Sequence, residues 1–338
     1  MTTPKRRLPV MADVAKEAGV SHQTVSRVLN DHPNVRADTR TRVEAAISRL
    51  GYRRNLVARA LVTKRSRTLG VVSFDTTLYG PASTIYGIEQ AARTAGYFVS
   101  IVSLKSLDTD NVRDAIDYLA EQGVDGVVVV APQRSAGRAL ENLPVGMPAV
   151  AVEGTHRADV SVVCIDQMEG ARLATRHLLD QGHETVWHVS GPADWLETEG
   201  RLEGWRSALM EAGRPVPEPL AGDWSPRAGY EAGMSLAAMD GVTAVFAAND
   251  QMALGVLRAL SEKGVPVPGR ISVVGFDDIP ESEFFSPPLT TVRQDFDVVG
   301  RHCIEVLLRQ IDVGATAYER LVVRPSFVVR SSTAAVSR

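Results

Sequence analysis

Long apolar runs, cysteines and nucleotide- or nucleophile-type motifs are scarce or missing in this sequence. No stretch approaches the roughly 18 consecutive apolar residues of a membrane span. The N-terminal "MTTPKRRLPVMADVAKEAGV" is basic but has no apolar core of the kind a signal peptide needs. The two cysteines, Cys164 and Cys303, match no metal or redox spacing. They read as buried or half-buried thiols in a reducing compartment, so a cytoplasmic location is expected. Without a Gly-rich phosphate loop, a nucleophile motif or a metal-ligand cluster, neither cofactor nor metal is expected.

What is present is a two-part chain. Its 338 residues exceed the usual length of one domain, and 44% hydrophobic with 23% charged residues suits a globular protein. The net charge of −3 conceals an asymmetry. Residues 1–67 hold fifteen Lys and Arg against five Asp and Glu, a net of +10, which leaves −13 on the remainder. A basic head on an acidic body implies that only the head meets a polyanion. On charge alone, a solvated basic surface without a partner remains an alternative.

Motif decides between them. Val14, Ala15 and Ala18 share one face of a first helix, about 11–18, which Gly19 breaks. In "GVSHQTVSRVLN", Ser21 is placed to N-cap a second helix over 21–29, with Val25, Val28 and Leu29 as its apolar side. A third helix, about 38–50, carries Val43, Ala46, Ile47 and Leu50 at helical spacing and ends at Gly51. Three short helices with a tight turn between the first two form a helix-turn-helix, whose second helix fits the major groove. His22, Gln23 and Arg27 then face base edges: Gln pairs with adenine and Arg with guanine. Thr24 and Ser26 reach phosphates, which fix position but carry no sequence information. The next stretch, "YRRNLVARALVTKRSRT", is basic and too short for a stable lone helix. Two readings stand: a hinge that orders on DNA and wedges Leu61 into a minor-groove step, or a flexible basic linker.

After Thr68, short β-rich runs ("TLGVVSF", "GVVVVA", "VSVVCI", "AVFAA", "ISVVGF") alternate with helical stretches at 83–95, 111–122, 168–181, 226–239 and 250–263. That alternation predicts parallel sheets covered by helices, and the length suits two lobes. Ligands in such folds sit beyond the carboxyl ends of strands. Asn249, Asp250, Asp277 and Asp278 end strand-like runs, and Arg201, Trp224, Gln294 and Phe296 follow others. The mixture suits a sugar: carboxylate, amide and guanidinium groups bond its hydroxyls, and an aromatic face packs on its C–H surface. Structural roles compete at each position. Asp250 is expected to N-cap the helix at 251–263.

"DVAKEAGVSHQTVSRVLN" followed by "TRTRVEAAISRLGYRRNLVARAL" resembles the DNA-binding end of the lactose-repressor (LacI) family. "GDWS", "ANDQMALG", "ISVVGFDD" and "PPLTTVRQDF" extend the likeness along the body, with "TLYGPAS" a looser match. The resemblance implies an all-α helix-turn-helix head at 1–52 and a hinge at 53–67. It also implies an α/β, two-lobed, periplasmic-binding-protein-like effector domain with parallel sheets. One lobe would span 68–164 with about 295–322, the other 165–294 with about 323–332. By resemblance Ser21, His22, Gln23, Thr24, Ser26, Arg27, the hinge Asn55 and Leu61 contact DNA. Leu78, Pro81, Arg201, Trp224, Asn249, Asp277, Gln294 and Phe296 hold the effector. The implied protein is no enzyme. It is a sugar-responsive repressor, galactoside-type, released from a near-palindromic operator, and without a leucine-heptad tail it is a homodimer. A co-repressor logic, or a solute-binding protein, are the alternatives.

Several positions depart from the family's pattern. Val10 and Arg36 stand where caps are common, and Arg54 replaces a proline before Asn55. In the body, Val130, Glu153 and Glu197 stand where a member of the family has asparagine, aspartate and serine. Phe74 and Ile165 also differ from its residues.

Overall fold

The computed structural model describes residues 7, 9–53, 63, 65–104, 109–130, 132–134, 146–153, 160–314 and 318–336. Asn55 and Leu61 lie outside the described residues, and the hinge reading with them. The chain divides into two compact units, 1–66 and 67–338.

The first unit is three helices, α1 (Met11–Ala18), α2 (His22–Leu29) and α3 (Ala37–Leu50). Each is too short to persist alone in water, so they depend on a shared core of Val14, Ala18, Val25, Val28, Val43, Ala46 and Tyr52. Gly19 takes a left-handed conformation at φ 65°, which lets Val20 N–H return to the Ala15 carbonyl and close α1. The missing cap at Val10 is offset from the other side: Asp13 accepts the Val10 N–H at 2.8 Å. Arg36 makes no side-chain cap to α3.

The second unit holds two sheets. In the first, β1 (Thr68–Phe74), β2 (Phe98–Leu104), β3 (Gly126–Val130), β4 (Ala149–Val152), β5 (Ser161–Ile165) and β11 (Arg320–Val323) lie in the order β11-β5-β4-β3-β1-β2, all parallel. Alternate side chains leave opposite faces of a strand. Val127 and Val129 accordingly join Ile116 and Leu119 of α5 (Thr109–Glu121). Val128 and Val130 join Ile88 of α4 (Tyr79–Thr94) and Leu307 of α10 (Phe296–Val313). Both cysteines are buried and free, and burial pushes the Cys164 thiol up to about 11.

The second sheet runs β12-β10-β9-β8-β6-β7, from β6 (Trp187–Ser190), β7 (Leu220–Ala221), β8 (Ala244–Ala247), β9 (Ser272–Asp277), β10 (Thr290–Arg293) and β12 (Ser326–Val328). Only β12 is antiparallel, paired to β10. α6 (Gln167–Asp180) and α7 (Leu196–Glu211) cover one face, and α8 (Pro226–Ala238) and α9 (Asp250–Glu262) the other. Strands β3, β4, β5, β8 and β9 are buried along their whole length, which is why they read as unbroken apolar runs rather than alternating ones.

Each sheet reverses strand order once, between β1 and β3 in the first and between β6 and β8 in the second. The crevice beyond the carboxyl ends at such a reversal is where an open α/β sheet receives ligands. α4 begins at Tyr79, earlier than the helical pattern from residue 83 suggests.

Candidate functional site

In the first unit, α2 is capped by Ser21, whose Oγ accepts the Thr24 N–H at 3.1 Å. Val25 and Val28 turn inward, leaving His22, Gln23 and Arg27 exposed and Ser26 half-buried on the other side. Positions 22 and 26, and 23 and 27, are four apart, so all four share one face. Thr24 is drawn into the cap, its hydroxyl 2.8 Å from that of Ser21. Two other basic side chains of the unit are engaged in ion pairs: Arg49 with Glu17 at 2.6 Å and Arg40 with Asp31 at 2.8 Å.

In the second unit, the carboxyl ends of the two sheets enclose a cavity of about 290 Å³. That is close to the lower bound, roughly 300 Å³, of small-molecule sites. All eight effector positions read from the sequence line it: Leu78, Pro81, Arg201, Trp224, Asn249, Asp277, Gln294 and Phe296. Val130, Glu153, Ile165 and Glu197, four of the departures, line it as well, but Phe74 does not. Phe74 instead packs edge-on against Trp195 at 6.1 Å.

The floor is one polar network. Arg201, 4% exposed, donates from Nε to Gln167 Oε1 at 2.9 Å and from Nη1 to the Ala248 carbonyl. Its Nη2 lies 3.5 Å from Asp277 Oδ1, and its guanidinium carbon sits 3.8 Å from the Phe276 ring centre. Gln294 donates to Asp277 Oδ1 at 2.6 Å, and Gln167 donates to Gln294 Oε1 at 3.0 Å and to Glu153 Oε1 at 3.3 Å. Burial pushes Asp277 up to about 6, against the downward pull of Arg201 and Gln294. Burial likewise lowers Arg201 from its usual value, so desolvation outweighs attraction on both sides of this loose pair.

The walls are aromatic. Trp195 and Trp224 meet at 5.5 Å and 70°, Tyr79 and Phe296 at 5.9 Å and 78°. Gly191 is required beneath Trp224: a Cβ there would lie 2.3 Å from the indole. Trp224, Glu153, Asp277 and Asp278 all have positive φ (72°, 57°, 111° and 56°). Non-glycine residues in this region carry strain of order 1–3 kcal/mol each, and such residues concentrate at ligand sites.

Two assignments change. Asn249, not Asp250, caps α9, its Oδ1 accepting the Met252 N–H at 2.8 Å while its Nδ2 donates to the Trp224 carbonyl at 3.1 Å. Asp250 is fully buried and accepts from Ile279 N–H (2.9 Å), Ser282 Oγ (2.5 Å) and Thr291 Oγ1 (2.6 Å), which pins the loop after Asp277. Burial first, then the Asp277 charge, pushes it up to about 7. Asp278 is also structural, held by Arg293 at 2.5 Å and Arg330 at 2.7 Å. Sequence reasoning missed Tyr79, Gln167, Trp195 and Gln251. Gln167 had a usable signal, since it opens a helix just past the end of β5, as Asp250 does past β8.

The chain is similar to known proteins along nearly its whole length. The profile of bacterial regulatory proteins of the lacI family matches residues 10–55, and a periplasmic binding protein-like domain matches 175–333. The lactose operon repressor of Escherichia coli is 34% identical over 329 residues, covering 96% of this chain and 90% of its own length. The chain belongs to the LacI family. The repressor PurR of Haemophilus influenzae is also 34% identical, over 97% of this chain and all of its own. The crystal structure of the lac repressor dimer bound to operator and the anti-inducer ONPF superposes with a TM-score of 0.85, at 34% identity over 97% of this chain and 100% of that one. This LacI-family member is a DNA-binding transcriptional repressor with an effector domain, not an enzyme. No helix among the described residues is long and apolar enough to cross a membrane.

Proposed function

We propose that this repressor acts in the cytoplasm as a homodimer and is released from a near-palindromic operator by a sugar, of galactoside type, bound between its lobes. The observation that carries the reading is the edge-on meeting of Trp195 and Trp224, at 70°, over the Arg201–Asp277–Gln294 floor. Parallel rings would clamp a flat heterocycle; rings at 70° form a corner that fits a puckered ring with C–H groups on one face and hydroxyls on its rim. The sugar shifts operator affinity only by its difference in affinity for the two lobe arrangements.

The test is operator binding at one fixed salt concentration, with and without a panel of galactosides, because phosphate contacts make affinity depend strongly on salt. Release by one sugar is the expected result. Tighter binding would make the sugar a co-repressor, and no response to any sugar would reject the reading. In the same assay Arg27→Ala is expected to weaken specific binding by about 1–3 kcal/mol and to relax base choice at one operator position. An equal loss on every sequence would instead place Arg27 on a phosphate.

A further inference from the structure

Resting on the sugar reading above, we propose that the effector carries a primary amine, as an amino sugar does, and that Glu197 and Glu153 receive it. Three carboxylates, Glu153, Glu197 and Asp277, line the cavity among the described residues, against one cation, Arg201. That cation is committed, since its nitrogens reach Gln167, the Ala248 carbonyl and Asp277. Glu197 Oε2 is covered from solvent and has no hydrogen-bond partner. Glu153 is satisfied on one side, by Ile165 N–H at 2.8 Å and by Gln167.

A second unpartnered group lines the same cavity. Trp224 is 7% exposed, and its indole N–H meets no acceptor. Buried polar atoms without partners are rare, and each one calls for a reason. A cavity with one free donor, one free carboxylate oxygen and one free amide oxygen, that of Gln251, is complementary to a ligand that offers an acceptor and a charged donor. An ammonium supplies three N–H donors and no acceptor, which suits two neighbouring carboxylates. A hydroxyl brings no charge to offset the cost of ionising either buried carboxyl, which an ammonium does. Burial, and the charge of Glu153, hold Glu197 well above the usual carboxylate range. Burial raises Glu153 too. Val130 adds no polar group, which leaves recognition at this end to the glutamates.

The experiment is calorimetric titration of the full-length protein with galactosamine and glucosamine. Each is compared with its hydroxyl parent and with its N-acetyl derivative, which removes the charge. At least a tenfold preference for one amine over both neutral counterparts is expected. Glu197→Gln and Glu153→Gln should each bring that ratio towards one. Equal affinity of amine and neutral sugars in the wild type overturns the proposal, and so does a ratio that survives both substitutions. The wild-type comparison stands even if a variant fails to fold. Neutral sugars that bind and release operator while amines do not would defeat the amine assignment alone. No binding by any sugar would defeat the sugar reading as well.

Discussion

Arg201→Ala is expected to lower the unfolding free energy by about 3–5 kcal/mol, the range for removing one partner of a buried ion pair. The cost does not come from losing an attractive pair, because the 3.5 Å contact with Asp277 is loose and burial disfavours both charges. It comes from what is left behind. Asp277 would keep only Gln294. The Ala248 carbonyl and Gln167 Oε1 would lose their donor inside the fold. The same argument predicts that Arg201→Met with Asp277→Leu recovers much of the loss, since two apolar groups need no partners. Urea unfolding of the wild type, the single variant and the double variant checks this. A single-variant cost below about 1 kcal/mol would mean that solvent reaches the network. Operator release by sugar should disappear in both variants, because the cavity floor is gone.

Between pH 7 and pH 4 the wild type is expected to lose roughly 3 kcal/mol of stability relative to a His188→Leu variant. His188 lies between Phe246, at 4.6 Å and 20°, and Trp205, at 5.3 Å. One ring nitrogen, Nδ1, meets the Phe246 carbonyl at 2.9 Å and the other meets nothing. Burial pushes its pKa down to about 4 from an ordinary 6.5. The unfolded chain therefore binds a proton at pH values where the folded chain does not. The contribution is complete above about 6.5 and is lost as pH falls through the window to about 4. Asp250 and Asp277, raised to about 7 and about 6, act in the opposite sense and cost stability as pH rises. Those terms are common to both proteins, so the difference between two denaturation series isolates His188. Parallel series would show that the imidazole is hydrated.

Local patterns account for much of what could be read in advance. Ser21 caps α2 because a hydroxyl just before a helix has a free N–H beside it, whatever the rest of the chain does. The buried strands show as apolar runs because both their faces are covered. The strand-end polar residues stood out because a parallel sheet exposes its carboxyl ends, though the family resemblance was needed to choose among them. Adjacent residues were harder. Asn249 and Asp250 are both able to cap a helix. The choice fell to Asn249 because the Trp224 carbonyl lies within its reach, while three donors, from Ile279, Ser282 and Thr291, converge on Asp250.

The sequence by itself determined the helix-turn-helix, the basic head on an acidic body, the α/β alternation and the family. These follow from neighbours a few residues apart, or from counts along the chain. The tertiary structure alone decided that Trp195 meets Trp224 in a corner, and that Gln167 joins Arg201 to Glu153 and Gln294. It also decided that Glu197 keeps a covered, unpartnered oxygen. These contacts join residues tens to more than a hundred positions apart and bring two sheets' carboxyl ends to one cavity, so no local pattern encodes them.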